Sequence, residues 1–216
     1  MSARAEIVAL AAPVADVALV ELADVLVDCV AGGASVSFMA PFSLGQALGF
    51  FSKVAGSVAA GDTVLLAAKL DGRIVGTVQL GLDTPPNQPH RADVKKMLVH
   101  RSVRGRGIGA ALMVQIEEEA RTRGRWLLVL DTVPGENGHR LYLRSGWQQT
   151  GIVPDYALFP DGRPCDTAIM WKGGGLGWGS KACAGEVSRP PGSPQCTPSC
   201  PASQPSMACL RVMPQW

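Results

Sequence analysis

The chain has 216 residues, 47% of them apolar and 18% charged, enough apolar material to bury a core and too much for an intrinsically disordered protein. Its formal net charge is +2, and the excess comes from the last stretch, where Lys181, Arg189 and Arg211 stand against Glu186. Residues 1–172 are therefore neutral, without the basic footprint of a nucleic-acid binder.

The first residues combine Arg4 with a short apolar stretch bounded by Glu6 and Asp16. That is too short for a secretion signal, and no uncharged run of about 18 residues offers a membrane span. After Ala12 and Pro13 a helical pattern runs to about Val30, with Asp24 and Asp28 on its polar face, and stops at Gly32 and Gly33. Ser43 is the expected N-cap of a second helix that ends before Gly61. The apolar runs "TVLLAAKL" and "IVGTVQL" flank Asp71-Gly72-Arg73, a strong hairpin signal.

A proline-rich loop at 84–90 precedes the strand "ADVKKMLV" and then "VRGRGIG" at 103–109. Ile108, Ala111, Leu112 and Ile116 recur at helical spacing, Glu117 with Arg121 and Glu119 with Arg123 form i,i+4 pairs, and Gly124 closes the helix. "RWLLVLD" is a strand ending at Asp131. A short helix from about 136 to 145 carries Tyr142, and two strands at 147–158 and 166–171 turn around Pro160, Asp161 and Gly162. The order α, α, β, β, β, α, β, α, β, β is an α/β unit with antiparallel flanks.

From Gly173 the texture changes to Gly, Pro, Ser and Cys without periodicity, read as a disordered tail, residues 173–216, behind a domain of residues 1–172. Cys183, Cys196, Cys200 and Cys209 fall in that tail. No histidine accompanies them at zinc-finger spacing, so no metal is expected. Cys29 and Cys165 are isolated, which fits reduced thiols in a cytoplasmic protein.

The glycine turn carries the chemistry. Backbone N–H groups at a helix start lack internal partners and sit at the positive end of the helix dipole. Glycines at 105, 107 and 109 let a phosphate reach the main chain, and Arg104 and Arg106 add charge-assisted donors. Gly105-x-Gly107-x-x-Ala110, with Asp131 about twenty residues on, formally satisfies a dinucleotide fingerprint. However, residues 100–104 separate the strand from the first glycine, Lys95 and Lys96 suit a central parallel strand poorly, and no second nucleotide half follows.

Arg104-x-x-Gly107-x-Gly109 is instead similar to the R/Q-x-x-G-x-G/A signature of the GNAT acetyltransferases. "VKKMLVHRSVRGRGIGAALM" resembles their acetyl-CoA motif, and "LDTVPGENGHRLYLRSGW" resembles the strand and tyrosine-bearing helix that follow it. "GIVPDYALFPDGRPCDTAIMWK" is similar to a bacterial subgroup that includes tabtoxin resistance protein. The resemblance spans 63–172 closely, 1–62 loosely and the tail not at all.

It implies a mixed, mostly antiparallel sheet with a central splayed parallel pair, flanked by helices. Met97, Leu98 and Val99 would pair with the pantetheine arm of acetyl-CoA as an added strand would. Gly105, Arg106, Gly107, Ile108, Gly109 and Ala110, with Arg104, would hold the pyrophosphate, and Asn137 the cofactor arm. An amide near Leu98 would meet the oxyanion. Tyr142 would be the general acid for the departing thiolate, and Asp131 and Asp93 candidate bases or binders of the amine. The implied activity is acetyl transfer to a primary amine of a small molecule, such as a toxin or antibiotic, by direct attack in a ternary complex. A non-catalytic acyl-CoA-binding module and a protein or peptide N-acetyltransferase are the alternatives. The acceptor wall is expected at 41–51 and 154–159, and the sheet edge leaves room for a homodimer.

Overall fold

The computed structural model describes residues 4–173. The expectation for the tail lies, beyond Gly173, outside the described residues. In chain order the elements are β1 (Glu6–Ala9), α1 (Asp16–Ala31), α2 (Leu44–Ala60), β2 (Thr63–Leu70), β3 (Arg73–Gly81) and β4 (Arg91–Val99). A 3-10 turn (Arg101–Val103) leads to α3 (Ile108–Thr122), β5 (Leu127–Thr132), α4 (Asn137–Arg144), β6 (Gln148–Leu158) and β7 (Pro164–Gly173). The strands form one seven-stranded sheet in the order β1-β2-β3-β4-β5-β7-β6. It is antiparallel except for β4 and β5, the mixed sheet that the resemblance implied.

Local chemistry explains most boundaries. Ser43 accepts the Gln46 N–H at 3.2 Å while Gln46 Oε1 accepts the Ser43 N–H at 2.9 Å, a capping box that starts α2. Asp71 (φ 50°) and Gly72 (φ 81°) take the two left-handed positions of the β2–β3 turn, as a two-residue hairpin requires. Alternation along β2 sends Leu66, Ala68 and Leu70 to one face with α3, and Leu65 and Ala67 to the other with α1 and α2. Two apolar cores thus cover the two faces of the sheet.

Two features depart from the expectations. β1 is an added edge strand, with Glu6 opposite Lys69 and Ala9 opposite Leu66. Its four residues carry too little alternation to stand out from the apolar run around them. Glu117 turns inward from the outer face of α3, accepting from Trp147 Nε1 at 3.0 Å and Lys172 Nζ at 2.8 Å. Arg121 pairs with Glu118, whereas the Glu119–Arg123 pair forms as expected. Among the described residues, no helix is long and apolar enough to cross a membrane.

Candidate active site

β4 and β5 pair only at Arg91–Leu127, Ala92–Leu128 and Asp93–Val129. Beyond Asp93 they separate, although β4 continues to Val99 and β5 to Thr132, leaving an open gap in the sheet. A bulge opens it. On β3, Thr77 and Gln79 are two residues apart, while their partners Leu98 and Lys95 on β4 are three apart. Lys96 takes up the extra residue with φ 50°. Such a bulge bends the strand and re-aims its side chains.

The gap opens into a cleft of about 900 Å³. Its walls include residues 93–99 of β4, 129–133 of β5 with the turn that follows, 32–39 of the α1–α2 loop, and 156–159 at the end of β6. Of the stretches expected to form the acceptor wall, 156–159 line the cleft and none of 41–51 does. Ala47 and Phe51 of that stretch are fully buried against the sheet, since α2 directs its apolar stripe inward, and the preceding loop is left to line the cleft. Ser35 Oγ donates to Leu158 O at 2.9 Å and the Ala40 N–H to Pro160 O at 3.0 Å, tying this loop to the β6–β7 hairpin across the cleft.

Met97 and Val99 are half-buried and Leu98 is buried, 3% exposed. The Leu98 carbonyl faces β3, for a Cβ on Gly76 would lie 2.9 Å from it. Across the planar trans peptide the Val99 N–H then points the opposite way, into the gap. The Val99 carbonyl accepts from Arg104 Nε at 3.0 Å and Cys29 Sγ at 3.6 Å. Arg104 also reaches Cys29 Sγ at 3.6 Å through a second nitrogen, so its guanidinium braces the end of β4 while lining the cleft. Burial pushes the Cys29 thiol up, against the Arg104 charge.

At the start of α3, Gly105 (φ 79°) and Gly107 (φ 78°) are left-handed, with nothing within 4 Å of where a Cβ would stand. Gly107 caps the helix without a side-chain bond, so the N–H groups of Ile108, Gly109 and Ala110 have no intrahelical acceptor. Arg106 is exposed. Gly109 has another job: its Cβ would come within 3.1 Å of Leu141 Cδ2, so glycine here lets α3 and α4 approach. Open backbone, left-handed glycines and a helix start make an arrangement that fits a diphosphate.

A clamp holds the connection from β4 to α3. Asp28 of α1 accepts from the Arg101 N–H at 2.8 Å and Arg101 Nε at 2.9 Å, with His100 Nε2 3.5 Å away. Burial raises the Asp28 carboxyl, but these donors outweigh it and leave its pKa below the ordinary value.

Tyr142 on α4 is 6% exposed, lies 5.9 Å from the Trp147 ring between centroids, and lines the cleft. Burial, then the nearby Asp131 charge, raises its pKa well above the ordinary 10.0, so the side chain stays a neutral phenol. Asp131 is exposed at the end of β5. Asp93 lies at the vertex of the gap and is held by Arg91 at 2.6 Å. Asn137 opens α4, with its Oδ1 accepting from Arg140 at 2.9 Å. All three line the cleft with Tyr142.

Lys96, Ser37, Phe38, Tyr156 and Phe159 also line it. Of these the sequence pointed only to Tyr156 and Phe159, within 154–159. Lys96 read as a poor strand residue, and that misfit was its signal.

Residues 43–147 match the family model described as Acetyltransferase (GNAT) family. An IAA acetyltransferase from Azospirillum brasilense is 33% identical over 100 residues, 46% of this chain and 63% of that protein. An aminoalkylphosphonate N-acetyltransferase from Salmonella typhimurium is 32% identical over 82 residues, 37% of this chain and 53% of that protein. The matched stretch thus spans between about half and two thirds of these curated relatives. Among solved structures, a putative acetyltransferase from Salmonella typhimurium with its cofactor acetyl-CoA superposes with a TM-score of 0.65 at 18% identity, covering 79% of this chain and 94% of that one. At that identity the likeness establishes the GNAT fold.

Proposed function

We propose that this chain, which has the GNAT fold and carries the GNAT family's matching segment, is an acetyl-CoA-dependent N-acetyltransferase acting on a primary amine of a small molecule. The observation that carries the reading is the gap between β4 and β5. It offers an unpaired strand edge, is lined at one end by Arg104, which precedes the open backbone at the start of α3, and has a protonated tyrosine in its lining.

Acetyl-CoA, the donor substrate, supplies an acetyl group as a thioester. The β4 edge around Met97, Leu98 and Val99 holds its extended arm by strand addition, and the 104–110 turn takes its diphosphate with Asn137 beside the arm. The Val99 N–H, turned into the gap, is a preorganised donor for the negative charge that develops during attack. Binding amine and thioester together in the cleft makes the attack effectively intramolecular.

Tyr142 keeps its proton at working pH and gives it to the departing thiolate. Its raised pKa makes it a weak acid until that charge builds beside it. Asp131, open to solvent, attracts the acceptor ammonium and takes up its proton through water. Asp93, engaged by Arg91, shapes the vertex and acts through that pair. The resemblance of residues 151–172 to the tabtoxin-resistance subgroup supports a toxin or antibiotic amine as acceptor. The activities named for the two curated relatives support small-molecule chemistry more generally. Two buried free thiols, Cys29 and Cys165, support a reducing compartment.

The test is release of free CoA from acetyl-CoA across an amine panel. Tyr142→Phe is expected to lower kcat by at least about 10²-fold with little change in KM for acetyl-CoA. Acetyl-CoA binding without amine-dependent CoA release would establish the non-catalytic binding module instead.

A further inference from the structure

Lys96 has no part in the chemistry just described, yet it is held with care. Its φ of 50° is costly for a residue with a Cβ. Its Nζ donates to Ser37 Oγ at 3.0 Å and sits 5.9 Å from the centroid of the Phe38 ring. Ser37 is itself left-handed, with φ 75°. Two strained residues, one from the β4 bulge and one from the α1–α2 loop, therefore meet in one hydrogen bond on the cleft wall. The other described non-glycine residues with positive φ, Asp71 and Asp155, belong to the β2–β3 turn and the irregular part of β6.

The ammonium is positioned but not neutralised. Among the described residues no carboxylate lies within 4.0 Å of it, and its two neighbours are a neutral hydroxyl and an aromatic ring. Burial lowers its pKa; the Asp131 charge across the gap opposes that and the adjacent Lys95 adds to it. A fixed, partly dehydrated cation in a ligand cleft is poised to accept an anion. Asp131 supplies the opposite charge on the facing strand, and Phe38, Tyr156 and Phe159 add aromatic surface to the same cleft.

Resting on the transferase reading above, we propose that Lys96 is a specificity-determining residue that binds the oxyanionic group, carboxylate or phosphonate, of a zwitterionic acceptor whose amine lies toward Asp131. Ser37 and Phe38 position that ammonium.

The test compares acceptors in matched sets, each primary amine bearing a carboxylate, a phosphonate or a neutral methyl ester, by CoA release with wild type, Lys96→Met and Lys96→Arg. Wild type is expected to favour the anionic members, and whichever of carboxylate and phosphonate gives the higher kcat/KM identifies the group. Lys96→Met should raise the acceptor KM of the anionic members about ten- to a hundredfold and bring acid and ester to within about twofold of each other. The loss should sit in the acceptor KM rather than that of acetyl-CoA, and Lys96→Arg should restore most of it. Wild type preferring the esters, or Lys96→Met lowering kcat equally on every acceptor, overturns the proposal while leaving the transferase reading intact. Acetyl-CoA binding without CoA release on any amine overturns both. A melting curve and acetyl-CoA calorimetry on Lys96→Met separate a misfolded variant from a specific loss, and Lys96→Glu gives a second reading by shifting preference toward diamines.

Discussion

Tyr142 shows how one buried hydroxyl links stability to chemistry. Its folded pKa lies above the unfolded value of 10.0, so the native state holds the proton more tightly than the unfolded chain. The stabilisation is complete below about pH 10 and is lost as pH rises toward the folded pKa. The chain has two tyrosines, and the other, Tyr156, is 59% exposed. The wild-type melting temperature is therefore expected to fall more steeply above pH 10 than that of Tyr142→Phe, since lysine titration is common to both and cancels in the difference. Parallel curves would mean that the phenol is not desolvated as described. At this scale the sequence singled out Tyr142 and Asp131, which line the cleft, and the glycines at 105 and 107, which are left-handed. For Lys96 the sequence showed only a misfit in its strand, because its placement depends on a backbone angle and on a serine fifty-nine positions away, neither of which leaves a local pattern. The brace made by Arg104 on Val99 was hidden for a similar reason: spacing placed the guanidinium at the turn but said nothing of its direction.

At the level of elements, the site depends on where β4 leaves β5, and the bulge sets that point. Gly76 on β3 lies under the critical peptide: a Cβ there would meet Leu98 O at 2.9 Å and Leu112 Cδ1 at 3.4 Å. Both neighbours are constrained, one being backbone and the other packed in the core beneath α3. Gly76→Ala is thus expected to cost about 1–3 kcal/mol of stability and to weaken acetyl-CoA binding by displacing the Leu98–Val99 peptide. Denaturant unfolding and titration calorimetry measure the two effects. A folded variant with unchanged acetyl-CoA affinity would show that this peptide does not hold the donor. Elements with punctuation of their own were readable from sequence: the capping serine at 43, the Asp71-Gly72 turn and the glycine after α3. The bulge was not, because it is a mismatch between two strands and appears only when β3 and β4 are aligned. β1 was missed for a related reason, since an edge strand of four residues is defined by its partner β2 more than by its own alternation.

For the whole molecule, the question is how much chain the fold and the cleft require. Among the described residues, both apolar cores draw their members from residues 5–170, and the cleft is lined by residues 29–169. The last described pairing joins Leu127 of β5 to Gly173 of β7, and Lys172 anchors that strand to Glu117 of α3 and the Ser145 carbonyl. β7 is therefore needed to its end, because it holds β5 on the side away from the gap and so keeps the gap from closing or spreading. We propose that residues 1–172 with the end of β7 form the complete folding and binding unit. A chain shortened to residues 1–175 is expected to melt within about 2 °C of the full chain, corresponding to less than about 1 kcal/mol, and to bind acetyl-CoA with the same affinity within about twofold. A chain cut after residue 168 should instead lose cooperative melting, since it removes Met170 from the core and the Lys172 anchor. A fall of several degrees in the 1–175 chain, or a tenfold loss of acetyl-CoA affinity, would assign the remaining residues to the fold or the site.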